Sequence, residues 1–205
     1  MSSVNEHLGN ETVQRMLDAA EILFLEHHYA DVSVSQVAEA AALTKGAVYH
    51  YFPSKEQLYL AMLHRDLASK RELYRNVAVA VDATAAERLR RLTGAFLDLP
   101  GNKRRLIGLV RRDVNVFPPT LRDELVRAYQ DALPNQVEVI VRDGIRAGEL
   151  VPGDARLMAW QFVALVEVLL TPYATQRFAS EEDKADYVVS VFLHGCARYR
   201  SELHP

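Results

Sequence analysis

A single cysteine, Cys196, stands in a chain of 205 residues, so no disulfide can close within it, which fits a reducing compartment. No apolar run approaches the roughly 20 residues that a membrane span needs. The polar opening Met1-Ser2-Ser3-Val4-Asn5-Glu6 is not the pattern of a secretory signal. The expected location is therefore the cytoplasm, with no membrane partner. The Gly-x-Ser-x-Gly elbow, the glycine-rich phosphate loop and the His-Glu-x-x-His pair are all missing, so nothing nominates an enzyme. No cofactor or metal set stands out. Adjacent His27 and His28 would point about 100° apart on a helix and read as helix-end residues near the negative dipole. His194 and Cys196 are only two residues and make no site. Positive charge is also scarce: the formal net charge is −3, and residues 1–55 hold three Lys/Arg against seven Asp/Glu. Bulk charge thus opposes nucleic-acid binding, and only a local arrangement can support it.

What is present is the composition of a packed globular chain, 49% hydrophobic and 25% charged. The first ten residues read as a disordered lead-in. From Glu11 to about His27, Val13, Met16, Leu17, Ala20, Leu23 and Phe24 recur with the period of an amphipathic helix. Ser33 with Gln36, and Ser54 with Gln57, have the spacing that satisfies orphan backbone donors at a helix start. Pro53 closes one helix and Ser54 opens a longer one, running towards Arg75. Only residues 34–53 lie between these two starts, enough for two short helices and a tight turn. The second would run from about Lys45 to Tyr51, with Thr44 as its N-cap. Further helices are expected at about 85–99, 102–114, 120–147, 155–175 and 181–202. Breaks are expected at Pro100-Gly101, Pro118-Pro119 and Pro152-Gly153, and a kink or split at Pro134. Val137, Val139 and Val141 alternate briefly, but the helical period around them is stronger. The fold is expected to be all-α.

Two short helices at a steep angle, the second offering small or polar residues at its start, make a helix-turn-helix for DNA. Val37, Ala38, Leu43, Val48 and Phe52 would form its interior. Thr44, Lys45, Gly46, Ala47, Tyr49 and His50 would be left to face a major groove. Gly46 and Ala47 admit close backbone approach, the Tyr49 ring can lie on a thymine methyl, and Lys45 is a cationic arm. Lys55, in the first turn of the next helix, adds a cation where the helix dipole already favours phosphate. For Ser33 and Ser54, plain helix capping stands beside a phosphate role. Tyr49 and Tyr51 could instead be core aromatics. Arg104-Arg105 and Arg111-Arg112 read as solvated faces.

The stretch Lys45-Gly46-Ala47-Val48-Tyr49-His50-Tyr51-Phe52-Pro53-Ser54-Lys55-Glu56-Gln57-Leu58 closely resembles the recognition-helix signature of the tetracycline-repressor (TetR) family. Val34 to Ala41 resembles that family's second helix, and residues 13–29 its first. The resemblance implies a three-helix DNA-binding domain at 1–55, joined by a long helix to a helical ligand-binding and dimerisation domain at 56–205. It implies Lys45, Gly46, Ala47 and Tyr49 as base-facing residues, and Ser33, Ser35, His50, Tyr51 and Lys55 as phosphate-facing ones. Ala42 and His28 depart from the family pattern, since glycine often stands at both places. Either could place a side chain at a left-handed backbone position, a cost of about 1 kcal/mol.

For the second half, the resemblance implies homodimerisation through helices at about 155–175 and 181–202. Both are rich in apolar residues, and the small Gly195 and Cys196 permit close approach. It also implies an effector cavity within residues 60–178. Candidate lining residues are Phe96, Leu109, Phe117, Tyr129, Trp160, Phe162, Tyr173 and Phe178, with Arg112, Asp113, Asn115 and Glu167 as polar anchors. For each aromatic the plain alternative is core packing. The function so implied is a ligand-responsive transcriptional regulator, a repressor released from a palindromic operator in double-stranded DNA by a small apolar or amphipathic effector. Its helix from Ser54 is expected to carry the signal, as the only element touching both sites. The alternative is an all-α ligand carrier or interaction protein whose helix-turn-helix does not function; the acidic N-terminal balance favours it.

Overall fold

The computed structural model describes the backbone of residues 2–79 and 82–196, and the side chains of residues 10–79 and 82–195. Among these residues every regular element is helical. The α-helices are α1 (Ser2–Glu26), α2 (Val34–Ala40), α3 (Lys45–Tyr51), α4 (Lys55–Ala78), α5 (Ala85–Leu97), α6 (Gly101–Asp113), α7 (Pro119–Ala132), α8 (Pro134–Arg146), α9 (Ala155–Val168), α10 (Pro172–Thr175) and α11 (Glu181–Cys196). Single 3-10 turns lie at Tyr29–Asp31 and Val114–Val116.

The expected punctuation is visible at most boundaries. Ser33 and Gln36 form a reciprocal capping box at α2, and the Thr44 hydroxyl accepts from the Ala47 amide at α3. Phe52 is extended before Pro53, as a residue preceding proline must be. Pro134 splits the expected 120–147 helix into α7 and α8. Two expectations change. Residues 2–10 continue α1 instead of leading in without structure, and no proline interrupts them. The helix expected over 155–175 ends at Val168 and restarts at Pro172 with Thr171 as N-cap, because Pro172 has no amide hydrogen to continue the ladder. Residues 197–202 of the last expected helix lie outside the described residues, as does the Cys196 side chain.

The chain packs as two compact units, with boundaries inside α4 and α7. The first comprises residues 1–67 and 101–128, so α6 and most of α7 pack with the helix-turn-helix. Its core is built from Met16, Leu17, Ala20 and Phe24 of α1, Val37 and Ala38 of α2, Val48 of α3 and Leu58, Met62 and Leu63 of α4. Leu106, Ile107 and Val110 of α6 complete it. Burial of each of the larger of these side chains contributes about 1.5–3 kcal/mol. An aromatic group joins these helices: Tyr59 stands edge-on to Phe24 at 4.7 Å and stacks with Phe117 at 5.4 Å, and Tyr29 touches all three.

The second unit comprises residues 68–100 and 129–205. In it α8 packs on α9, α5 on α8 and α11, and α9 on α11. Gly144 sets the α5–α8 approach: a Cβ there would stand 2.8 Å from the Ala85 Cβ and 3.0 Å from Leu150 Cδ1. Beside it, the buried Arg88 reaches the Asp143 carboxylate at 3.0 Å and the Ala78 carbonyl. The Glu149 carboxylate accepts the Ala85 amide at 2.6 Å.

Candidate nucleic-acid interface

Local chemistry makes α3 a short helix with one buried side. Val48 is fully enclosed, while Leu43 and Phe52 are half-buried. Around that anchor, Thr44, Lys45, Gly46, Tyr49, His50 and Tyr51 are exposed and Ala47 is half-exposed. Tyr49 keeps 43% of its surface in solvent, so it is not a core aromatic. The Lys45 ammonium stands 5.8 Å from the Tyr49 ring, one helical turn away on the same face. His50 and Tyr51 meet edge-on at 5.1 Å. A Cβ on Gly46 would meet only the Thr44 Oγ1, at 3.9 Å. No intramolecular neighbour therefore requires glycine there, although glycine weakens a helix. Ser33 and Ser35, at the start of α2, are exposed as well.

The turn before α3 closes on Ala42 with φ 53°. The Leu43 amide donates to the Ala38 carbonyl and the Ala42 amide to Glu39, the paired bonds of a Schellman ending. The left-handed alanine expected at position 42 is thus present. At His28 φ is −69° and ψ 153°, so that position is extended and carries no such strain: α1 ends at Glu26 without a left-handed residue. The Arg15 guanidinium donates to the Ala41 carbonyl at 2.5 Å and to the Ala42 carbonyl at 3.3 Å, clasping the turn.

Lys55 occupies a different setting from the one expected. Its ammonium donates to the Tyr29 and Val32 carbonyls at 2.8 and 2.9 Å and lies 4.1 Å from the Tyr29 ring centre. It ties the α1–α2 loop to α4. At the same helix start, its own backbone amide and then the Ser54 hydroxyl hold the Glu56 carboxyl below the usual carboxylate range.

The acids of α1 have partners that sequence reasoning missed. Arg65 of α4 pairs with Asp18 at 2.8 Å and with Glu21 at 3.3 Å, and Lys103 and Asn102 of α6 also bind Glu21. Counted over the whole first unit, 11 Lys/Arg face 12 Asp/Glu, so the deficit of residues 1–55 nearly vanishes. Arg105 and Arg112 are exposed, as expected of solvated faces, and they also donate to carbonyls at the end of α1. Asp113, 3% exposed, grips Arg112 through both oxygens and accepts the Tyr59 hydroxyl at 2.8 Å. Burial first, and then that carboxylate, push the Tyr59 hydroxyl above the ordinary tyrosine range.

The candidate effector residues divide between the two units. Leu109, Arg112, Asp113, Asn115 and Phe117 belong to the first unit. There Leu109 and Phe117 are buried, and Asn115 is exposed. In the second unit Phe96 and Phe162 are buried; Phe162 packs edge-on against Phe192 at 5.1 Å. Tyr173 is 69% exposed beneath the Arg177 guanidinium, and Phe178 packs on Tyr187. Three do come together: the Tyr129 hydroxyl donates to Glu167 at 3.2 Å, and its ring lies 5.8 Å from that of Trp160. Among the described residues no cluster of three or more His, Cys, Asp or Glu could hold a metal, and no helix is long and apolar enough to cross a membrane.

Known proteins match this chain in both halves. A family model described as bacterial regulatory proteins of the tetR family matches residues 16–62, and one described as the tetracyclin repressor-like C-terminal domain matches residues 82–196. The HTH-type transcriptional repressor NemR of Escherichia coli K12 is 35% identical over 66 residues, which cover 32% of this chain and 33% of NemR. The matched stretch thus spans about a third of that relative. The regulator FadR from Bacillus subtilis, solved with stearoyl-CoA, superposes with a TM-score of 0.73 at 20% identity, covering 93% of this chain and 99% of FadR. AibR, solved with isovaleryl coenzyme A and operator DNA, gives 0.73 at 21% identity, covering 88% and 97%. Identities this low establish the shared fold alone. With its amino-terminal helix-turn-helix and more than half of its length matched by these family models, the chain belongs to the tetracycline-repressor (TetR) family of regulatory proteins.

Proposed function

We propose that this protein is a ligand-responsive DNA-binding transcriptional regulator, a repressor that leaves its operator when a small molecule binds. One observation carries the reading: α3 presents Lys45, Gly46 and Tyr49 to solvent above a single buried anchor, and the glycine has no intramolecular reason to be there. Residues 1–55 read DNA, and residues 56–205 bind the effector and pair the chains. Lys45, Gly46, Ala47 and Tyr49 face base edges. Ser33, Ser35, Thr44, His50 and Tyr51 set the register on phosphates. Lys55 acts through the loop it ties down. The carrier alternative drew its support from the acidic N-terminal balance, which Arg65, Lys103 and the rest of α6 offset.

The protein works as a homodimer through α9 and α11. Leu157, Ala164 and Val168 lie along one exposed face of α9, and Tyr187 and Val191 along one of α11. Large apolar side chains in two packed helices support a self-complementary interface. Two recognition helices would then stand about 34–36 Å apart, one DNA turn. The effector class we propose is an acyl thioester, an amphipathic molecule of the kind found in FadR and AibR, with Tyr129, Trp160 and Glu167 as its polar-aromatic contacts. Selection of duplexes from a genomic pool, then sedimentation of the complex and titration with acyl-CoAs of graded length, tests the reading. A near-palindromic site holding two chains and released by an acyl-CoA is expected. Failure to enrich any duplex overturns the regulator, and unchanged operator affinity with the acyl-CoA bound overturns the switch.

A further inference from the structure

The carboxyl end of α1 is short of positive charge and of hydrogen-bond donors. A helix leaves its last four carbonyls without intrahelical partners, and cations there are favoured by the helix dipole. The last turn of α1 contains no basic residue. The Leu23 carbonyl accepts the His27 amide at 2.9 Å. Beyond it, Leu25 accepts from the Arg105 guanidinium at 3.0 Å, and Phe24 and His27 accept from Arg112 at 3.0 and 3.1 Å. Both donors come from α6. Arg112 is itself fixed, since Asp113 holds it through two oxygens and Tyr59 of α4 holds Asp113. At another point along α1, Arg15 holds the Ala41 and Ala42 carbonyls, within the turn that leads into α3.

We propose that Arg105 and Arg112 are positioning residues for DNA binding: from α6 they supply the C-terminal cap that α1 lacks, and α6 thereby sets the presentation of α3 through α1 and Arg15. This rests on the regulator reading above. Within the first unit α6 packs directly on α1. Hydrogen bonds to named carbonyls fix the axial position of α1 in a way that apolar contact does not. Displacement of α6 therefore carries α1, and with it the α2–α3 turn, while Lys45 and Tyr49 stay untouched. Neither arginine contacts DNA in this scheme, and that separates it from a phosphate-binding role.

The test uses the full-length protein and a duplex that the wild type has selected from a random pool. Affinity is measured by fluorescence anisotropy across a salt series, with thermal melting alongside. The double variant Arg105→Gln, Arg112→Gln is expected to bind about tenfold more weakly at every salt concentration, with the salt slope of the wild type. Amide exchange at residues 24–28 is expected to quicken. Arg105→Gln alone leaves the Arg112–Asp113 pair intact and serves if the double variant does not fold; about threefold weaker binding at an unchanged slope is expected of it. A slope that falls by about one for each arginine removed makes them phosphate contacts and overturns the proposal. Wild-type affinity in a folded variant overturns it too. If the wild type itself selects no duplex, the regulator reading has failed, and not merely the cap.

Discussion

Gly46→Ala should move folding and DNA binding in opposite directions. Glycine inside a helix costs about 0.5–1 kcal/mol relative to alanine, and at the second residue of α3 the lower half of that range applies. The added methyl meets nothing closer than the Thr44 Oγ1 at 3.9 Å, so no packing penalty offsets the gain. For a chain of this size, that gain raises Tm by about 1–3 °C. On DNA the same methyl has to fit between the α3 backbone and the base edges. Overpacking a close contact costs about 1–3 kcal/mol, or roughly fivefold to 150-fold in affinity. Circular dichroism melting and anisotropy titration of a selected duplex measure the two effects on one sample. A variant at least as stable as the wild type but clearly weaker on DNA is expected. Affinity within twofold of the wild type would refute the placement of Gly46 against the duplex.

Three other outcomes follow from the geometry. Ala42→Gly relieves a left-handed alanine, about 1–2 kcal/mol, against about 0.4–1 kcal/mol of extra unfolded-chain entropy; thermal melting should show a small rise in Tm, and a fall would contradict the turn. Gly144→Ala forces apart the Ala85 Cβ and Leu150, which lie 2.8 and 3.0 Å from the new methyl, and denaturant unfolding should report a loss of about 1–3 kcal/mol. The Glu56 carboxyl lies below its ordinary value of 4.5 in the folded chain, so its contribution to stability is complete above that pH and is lost as the pH falls through the folded value. Urea unfolding of wild type and Glu56→Gln should therefore converge on acidification, and a gap that widens would contradict the cap.

Much of the helix pattern was legible because caps and prolines are local signals. Ser33, Thr44, Pro53 and Pro134 act within a few residues of themselves, and each does in the structure what its chemistry dictates. The recognition helix could be read for the same reason. Lys55 could not: whether its ammonium meets a phosphate or the Tyr29 and Val32 carbonyls depends on a loop more than 20 residues away. Arg105 and Arg112 are solvent-facing as read, but their second role was not legible, since the carbonyls they bind belong to a helix some 80 residues earlier. The acidic charge of the first 55 residues misled in the same manner, its partners lying on α4 and α6. Phe162, Phe96 and Tyr173 show the limit for a cavity: aromatic residues at helical spacing look alike in sequence whether enclosed, as the first two are, or open to solvent, as the third is.

Regulation by this protein requires that the start of α3 enter a duplex. The most direct measurement is the dependence of binding on salt for wild type, Lys45→Ala and Tyr49→Ala, on a duplex selected by the wild type. Loss of the base-facing Lys45 should weaken binding by about 1–3 kcal/mol and, because its cation also displaces counterions, lower the slope of log affinity against log salt by up to about 0.9. Loss of Tyr49 should weaken binding by about 1–3 kcal/mol with the slope retained, as befits a base contact. Wild-type affinity and slope in both variants would contradict the account.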